Sequence, residues 1–290
     1  MPQKSLSLRR PTISIVGPGN LGSALALTLA AADYPVKFLA VRQPHAASKH
    51  ARDLAKRVKA RVVVLGKESL DSDMVWLTVP DDEIAPVARL LAKSQDWKNK
   101  IVFHSSGALT SEELAPLRKL GARTASVHPM MTFVRGAAPE MAGVSFALEG
   151  DASAVRVARE IVEDLGANGF VIDKRKKVLY HAFGSFASPL VVALLDSMEQ
   201  VALAAGIRRG DIKPIMVPLL WQTLRNYLKK DAASAFSGPL VRGDVATIKR
   251  HLAELKQLPK VRQVYIALAT ASLQQLPVKN RKLIERELRK

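Results

Sequence analysis

The chain has 290 residues, of which 48% are hydrophobic and 24% charged, and this composition is typical of a globular protein with one large domain or two of ordinary size. It contains no cysteine, which excludes disulfides, thiolate metal sites and cysteine nucleophiles. The formal net charge of +18 favours anionic partners such as phosphorylated cofactors, acidic small substrates or nucleic acid.

The N-terminal segment imitates a signal peptide, because basic residues precede an apolar stretch that ends near residue 32. Gly17, Pro18 and Gly19 interrupt that stretch. No apolar run approaches the about 18 residues that a membrane span needs. We therefore expect a cytoplasmic protein with no membrane partner.

The first half of the chain alternates strand and helix patterns. Short apolar runs predict strands at 12–16, 36–41, 61–64, 74–79, 100–104, 124–127, 144–149 and 170–173. Helical patterns lie between them, at 21–32, 47–59, 83–92, 111–120 and 152–165. The run 74–79 is almost wholly apolar, as a parallel sheet covered on both faces requires. The alternation predicts an α/β sheet with right-handed crossovers.

From about residue 174 the pattern becomes all-helical. Apolar residues recur at three- and four-residue steps from Leu179 to Ala205, which predicts one long helix with a broad apolar stripe. Gly206 is placed to end that helix. We therefore predict two domains, an α/β domain over 1–173 and an all-helical domain over 174–290.

A glycine-rich turn follows the first strand and opens the first helix, with glycines spaced as G-x-G-x-x-G. Within a βαβ unit this spacing is typical of dinucleotide binding. Gly17 permits the tight turn, Gly19 lets the backbone approach a pyrophosphate, and Gly22 lets helix and strand pack closely. The free N–H groups of the helix N-terminus would then face the anion.

The end of the second strand indicates which dinucleotide binds. An acidic residue there bonds the ribose 2′-hydroxyl of NAD, whereas an arginine accommodates the 2′-phosphate of NADP. Arg42 stands at this place without a carboxylate beside it, so NADP(H) is the predicted cofactor. The predicted cofactor-binding residues are Gly17, Gly19, Asn20, Leu21, Gly22 and Arg42, with Val79 and Pro80 after the fourth strand.

Two further strand ends carry polar side chains, and they should face the predicted cofactor site. A histidine suits proton transfer because its pKa lies near neutrality. His128, after the sixth strand, and His181, near the start of the long helix, are therefore the predicted acid catalysts. The alternative for each is a structural hydrogen bond. Ser105 and Ser106, after the fifth strand, are predicted to bond the nicotinamide or the substrate, since they stand outside a G-x-S-x-G elbow.

Arg242 and Asp244 flank a glycine between two predicted helices. Arg242 can clamp a substrate carboxylate through two parallel bonds or form a salt bridge instead. Asp244 is also a predicted substrate contact, although its place before a helix makes it a natural N-cap. His45, His50 and His251 are interpreted as surface residues. No cluster has the spacing of metal ligands, so no metal site is predicted.

Several motifs together resemble a known family. They are the glycine turn, TVPDD at 78–82, HSSGAL at 104–109, SVHPM at 126–130, LYHA at 179–182 and SGPLVRGD at 237–244. The set resembles a bacterial family that joins a Rossmann-like domain to a C-terminal helical domain of unknown function. That family is similar to pyrroline-5-carboxylate reductase, the β-hydroxyacid dehydrogenases, ketopantoate reductase and the deazaflavin-dependent NADP oxidoreductases.

The resemblance implies a Rossmann fold with a doubly wound, mostly parallel sheet and two extra strands, followed by a helical domain that forms a homodimer. It also implies hydride transfer to a small C=O or C=N substrate. One departure stands out, because the β-hydroxyacid dehydrogenases carry a catalytic lysine and two asparagines on the first long helix. An approximate placement puts Ser185 at the lysine and Ser188 with Pro189 at the pair. The lysine mechanism therefore cannot be carried over.

We predict an NADP-dependent oxidoreductase that acts on a small, anionic C=O or C=N substrate. A non-catalytic dinucleotide-binding or sensor protein is the first alternative, because the lysine and asparagine are missing. A basic nucleic-acid-binding protein is the second. Only the net charge supports it, since interleaved aromatic residues and nucleic-acid motifs are absent from the sequence.

Overall fold

A computed structural model describes residues 10–42, 49–134 and 140–290 of the chain. The chain divides into two compact units, the first ending at Ser185 and the second running from Phe186 to Lys290. The last strand ends at Val171, so the first unit also includes the beginning of the helical half. The predicted surface residue His45 and the first two residues of the helix predicted over 47–59 lie outside the described residues.

The first unit is built on one eight-stranded sheet. Its strands are β1 (Ile13–Val16), β2 (Val36–Val41), β3 (Arg61–Val64), β4 (Met74–Leu77), β5 (Ile101–His104), β6 (Arg123–Pro129), β7 (Ser145–Gly150) and β8 (Asn168–Val171). They lie in the order β3-β2-β1-β4-β5-β6-β7-β8. Neighbouring strands are parallel except β6 and β7. The predicted doubly wound Rossmann sheet with extra strands is confirmed, and its strand order reverses between β1 and β4.

Helices cover both faces of this sheet. They are α1 (Asn20–Ala31), α2 (Lys49–Val58), α3 (Asp81–Leu91), α4 (Ala115–Arg118), α5 (Ala152–Asp164) and α6 (Lys177–Ala187). Met74 and Trp76 belong to the same core cluster as α1, α2 and α5. Val75 and Leu77 belong to the cluster of α3 and α4. Successive side chains of a strand point to opposite faces of the sheet. The fully buried strand β4 therefore contributes side chains to the hydrophobic core on each face.

The second unit is all-helical. Its helices are α7 (Pro189–Ala204), α8 (Arg209–Lys229), α9 (Ala232–Ala235), α10 (Pro239–Arg242), α11 (Val245–Glu254), α12 (Pro259–Gln275) and α13 (Arg281–Leu288). Buried residues of α11, α12 and α13 form its core, among them Ile248, Leu273 and Ile284. A helical C-terminal half is thus confirmed.

The single helix predicted over 179–205 is in fact two helices. Helix α6 ends at Ala187 and α7 begins at Pro189, with Ser188 between them at φ −131° and ψ −84°. Proline lacks the N–H group that would continue the hydrogen-bond ladder of α6, so the helix stops before it. Gly206 follows the last turn of α7 with a φ of +82°, as predicted for a helix end.

The residues Lys174–Ala204 are long and apolar enough, by length and composition, to cross a membrane. The most apolar window has a mean hydropathy of 1.7, and none of it is buried. The expectation that no segment approaches this length was therefore wrong. A helical segment that packs its apolar side chains against another protein can be equally long and apolar. Length and composition are therefore weak evidence for a membrane span.

Candidate active site

The glycine turn connects β1 to α1 and packs against the residues that follow β4. Gly17 has a φ of +88°, which L side chains rarely adopt, and a Cβ there would lie 2.8 Å from Val79 Cγ1. A Cβ at Gly22 would lie 2.4 Å from the carbonyl oxygen of Gly17 and 2.5 Å from Thr78 Oγ1. The Thr78 hydroxyl donates a hydrogen bond of 2.7 Å to that same carbonyl. The turn therefore closes only with glycine at both positions.

Gly19 shows the opposite environment. A Cβ at this residue would meet no described atom within 4 Å. Gly19 is the N-cap of α1, and no side chain of the described residues caps that terminus. The first helical turn, which begins with Asn20 and Leu21, leaves backbone N–H groups available to an anion. The close turn and the open space at Gly19 together fit a ligand with a pyrophosphate.

Two basic side chains lie near this turn. Arg42 immediately follows β2, and its guanidinium contacts the carboxylate of Glu83 in the first turn of α3. The Arg42 side chain is 60% exposed. His50, an exposed residue of α2, is held by a hydrogen bond of 2.9 Å between its Nε2 and the hydroxyl of Ser23 in α1. The cation predicted for the 2′-phosphate therefore has a carboxylate partner within the chain.

The two predicted catalytic histidines lie close together. The rings of His128 and His181 have their centroids 6.1 Å apart. His128 also bonds Tyr180, with 2.8 Å between its Nδ1 and the tyrosine hydroxyl oxygen. Sequence reasoning missed Tyr180, although it stands next to His181. The contact of Tyr180 with His128 depends on α6 lying beside β6, which no local sequence pattern predicts.

Burial sets the protonation of this pair. Burial, together with the positive charge of Lys177, lowers the pKa of His128 to about 4. Burial raises the pKa of Tyr180 to about 12. At neutral pH, His128 is therefore a neutral imidazole and Tyr180 keeps its proton. The hydroxyl of Tyr180 is thus the group of this pair that holds a proton to give.

The loop after β5 passes directly against the histidines. A Cβ at Gly107 would lie 2.6 Å from His181 Cδ2 and 2.8 Å from His128 Nε2. The missing side chain lets both imidazoles approach the backbone. The motif at 104–107 therefore meets the motif at 126–130, as two polar strand ends at one sheet edge should.

Ser106 shapes this loop from within. Its hydroxyl donates a bond of 2.8 Å to Asp81 Oδ2 and accepts bonds from the N–H groups of Ala108 and Leu109, at 3.2 and 2.8 Å. Ser106 is only 4% exposed. Its side chain therefore holds the loop and the start of α3 together.

Ser105 and His104 are also engaged within the chain. The Ser105 hydroxyl accepts a bond of 2.8 Å from the indole N–H of Trp76. His104 is fully buried, its Nδ1 accepts the N–H of Ser106 at 3.1 Å, and its Nε2 lies 3.0 Å from the carbonyl oxygen of Thr110. Burial lowers the pKa of His104 to about 3. His104 is thus a neutral structural residue.

A buried ion pair lies behind the loop. Lys177, the first residue of α6, is 1% exposed, and its ammonium lies 3.5 Å from Glu149 Oε1. It also donates to the carbonyl oxygen of Ser106 at 3.0 Å and to the hydroxyl of Ser126 at 2.5 Å. Glu149 accepts the N–H and the hydroxyl of Ser111, each at 2.8 Å. Sequence reasoning missed Lys177 because it ends a run of four basic residues that reads as a solvated surface.

Arg242 and Asp244 lie in the second unit. Arg242 is exposed at the end of α10. Asp244 accepts a hydrogen bond of 3.0 Å from the N–H of Thr247, which makes it the N-cap of α11 and lowers its pKa. Gly243 between them has a φ of +68°. The structure therefore gives Asp244 the capping role that the sequence allowed.

Comparison with known proteins divides the chain earlier than the structure does, because the second family model begins just before β7 of the first unit. Residues 1–129 match the model of a Rossmann-like domain, and residues 144–272 match that of a domain of unknown function, DUF2520. The chain thus matches the model of a Rossmann-like domain followed by that of DUF2520. This agrees with the family that the sequence motifs resembled. A search of curated proteins found no match to this Rossmann–DUF2520 chain.

Solved structures share the fold of the Rossmann–DUF2520 chain. A protein from Thermotoga maritima is 24% identical, with a TM-score of 0.67 over 95% of this chain and 99% of that one. An imine reductase from Myxococcus stipitatus, solved with NADP+, is 16% identical, with a TM-score of 0.68 over 97% and 100%. A reductive aminase from Aspergillus terreus, solved with NADPH and ethyl-5-oxohexanoate, is 16% identical, with a TM-score of 0.65 over 96% and 99%. At these identities the comparisons show a common fold.

Proposed function

We propose that the protein is an NADP-dependent oxidoreductase that transfers a hydride between nicotinamide and a small C=O or C=N substrate. The observation that carries the proposal is the glycine turn at the reversal of strand order, closed at Gly17 and Gly22 but open at Gly19. Asn20 Nδ2 donates to the carbonyl oxygen of Phe133 at 3.0 Å, which ties this turn to the segment after β6. The NADP(H) complexes of the imine reductase and the reductive aminase support the same cofactor.

The cofactor supplies the hydride when it is bound, and the protein has to deliver or remove a proton. In the direction of reduction, Tyr180 gives its hydroxyl proton to the substrate oxygen or nitrogen. Neutral His128, with its proton on Nδ1, donates to the tyrosine oxygen and stabilises the phenolate that forms. His181, beside the same loop, is the second side chain placed to contact substrate. The net charge of +18 supports an anionic substrate.

The partly buried tyrosine–histidine pair favours an enzyme over a non-catalytic sensor. A sensor needs the glycine turn to hold the dinucleotide, but it needs no proton donor at the strand ends. The Tyr180 hydroxyl and His128 Nδ1 lie 2.8 Å apart in a partly buried setting. Turnover of a ketone or imine panel with NADPH is the direct test, and binding without any turnover would favour the sensor.

Arg42 is expected to select NADPH over NADH. Replacing Arg42 by alanine should weaken NADPH binding about tenfold to hundredfold, because a hydrogen bond to a charged group contributes about 1.5–3 kcal/mol. NADH binding should change little, since that cofactor lacks the 2′-phosphate. Titration with both cofactors, followed by nicotinamide fluorescence, measures the two affinities. Arg61→Ala is the matched control, since Arg61 is an exposed arginine paired with Glu68.

The exposed apolar residues of the helical half support a homodimer. They include Val178, Leu179, Phe183 and Phe186, each between 63% and 72% exposed. Light scattering after gel filtration without detergent should give twice the chain mass of 31.6 kDa. Phe186→Glu should shift the protein toward monomer, whereas Leu120→Glu, two residues after α4, should not. A monomeric wild type, or one that needs detergent to stay in solution, would contradict the dimer.

A further inference from the structure

Lys177 stands out among the buried groups because the proposed hydride and proton transfer does not use it. The three residues before it, Lys174 to Lys176, are exposed, whereas Lys177 is 1% exposed. Lysine is almost never fully buried unless it is paired, because removing its charge from water is costly. A specific arrangement of partners therefore keeps it inside.

The three partners of the Lys177 ammonium come from three different parts of the sheet. Ser106 belongs to the loop after β5, Ser126 to β6 and Glu149 to β7. An ammonium has three N–H donors, so one group can satisfy all three partners at once. Lys177 therefore ties the first residue of α6 to two strands and to the loop between β5 and α4.

The position of Lys177 in its helix links it to the proposed proton donor. Tyr180 and His181 follow Lys177 by three and four residues, so the three side chains share one face of α6. Ser126 and His128 are two residues apart in β6 and point to the same side of the strand. The helix and the strand are therefore joined by two contacts in register, Lys177 with Ser126 and Tyr180 with His128.

We propose that Lys177 is a positioning residue for the proposed reaction, because its ammonium fixes α6 against β6 and the loop at 105–107 so that Tyr180, His128 and His181 meet. This proposal rests on the proposed oxidoreductase function for its kinetic consequences. The neighbouring residues Ser106 and Gly107 link the position of the Lys177 ammonium to the positions of the two histidines. The carbonyl of Ser106 binds the ammonium, while the backbone of Gly107 lies against both histidines.

The charge of Lys177 has a second effect on the same site. It adds to burial in lowering the pKa values of His128 and His104. The titratable groups that face His128 are Lys177, Tyr180 and His181 of α6 and His104 of β5. Glu149 of β7 and Asp81 of α3 act on Lys177 instead. Removing the ammonium should therefore raise the pKa of His128, whereas an arginine should keep it low.

The test compares Lys177→Gln, Lys177→Arg and Lys176→Gln in the full chain. NMR titration of the His128 ring should show its pKa raised by about one unit or more in K177Q, but not in K177R or in the exposed control K176Q. Both Lys177 variants should lower kcat about tenfold to hundredfold with little change in the Kd for NADPH, because misplacement acts on the chemical step. A His128 titration in folded K177Q that equals wild type overturns the proposal.

Ser126→Ala provides a milder test if K177Q does not fold. It removes one bond of the ammonium and keeps the charge. The His128 pKa should stay low, while the 15N shift of His128 Nδ1 changes because its contact with Tyr180 loosens. An unchanged Nδ1 shift in this variant overturns the positioning role. The NMR readouts need no substrate, so they separate failure of this proposal from failure of the proposed oxidoreductase function.

Discussion

Replacing Tyr180 by phenylalanine is expected to lower kcat for NADPH-dependent reduction by about 10²–10⁴-fold, the usual contribution of a positioned general acid. The variant removes one oxygen atom and leaves the ring in its contact with His128, whose centroid lies 5.5 Å away. Binding of NADPH should be unchanged. Steady-state oxidation of NADPH with a panel of small ketones and imines measures the loss. Tyr227→Phe is the matched control, because Tyr227 is 57% exposed in the second unit.

The pH dependence distinguishes Tyr180 from His128 as the donor. The pKa of Tyr180 is raised to about 12 and that of His128 lowered to about 4. Tyr180 keeps its proton below the upper value and His128 is neutral above the lower one, so the rate should stay level through neutral pH. An imidazolium donor would instead lose activity as the pH rises through about 4. A rate that decreases as the pH rises through the acidic range would contradict Tyr180 as the donor.

Alanine at Gly22 is expected to cost both stability and cofactor binding. Its Cβ would lie 2.4 Å from the backbone carbonyl of Gly17, and neither the strand nor the helix can move away freely. Overpacking of this kind typically costs about 1–3 kcal/mol of the free energy of unfolding. Thermal unfolding and titration with NADPH measure the two losses.

Alanine at Gly19 is the matched control for that experiment. Its Cβ would meet no described atom, so the free energy of unfolding should fall by at most about 1 kcal/mol, the usual cost of alanine at an N-cap. Affinity for NADPH should nevertheless fall, because the methyl group occupies space that the pyrophosphate needs. Equal NADPH affinity in Gly19→Ala and wild type would mean that the turn does not hold a dinucleotide.

Local patterns made the α/β half of the chain predictable. The glycine spacing, the apolar strand before it and the helix after it lie within about thirty residues, the length of a βαβ unit. The break at Ser188 was not predictable in the same way, because apolar residues recur at helical spacing on both sides of Pro189. A hydrophobic pattern indicates which face of a helix is apolar, but it does not indicate where the backbone hydrogen bonds of the helix are interrupted.

The proposed site depends on contacts between distant parts of the chain. His128 and Tyr180 are separated by 52 residues, and the ammonium of Lys177 bonds Ser106, 71 residues away. Their meeting follows from β6 lying beside β5 in the sheet and from the contacts of α6 with β6. The sequence identified the two histidines from their chemistry. It contained no sign that the last residue of a basic run would be buried.

The Lys177–Glu149 pair also determines where the helical half of the chain can be exchanged without breaking a buried ion pair. A chain cut at residue 173 would keep Glu149 inside the sheet but lose its ammonium, and breaking a buried pair typically costs about 3–5 kcal/mol. The first unit as the structure divides it, ending at Ser185, retains both members of the pair and also Tyr180 and His181. A helical domain from a relative, joined after Ser185, would therefore be combined with the proposed acid–base residues of the first unit, and it would replace only residues of the second unit.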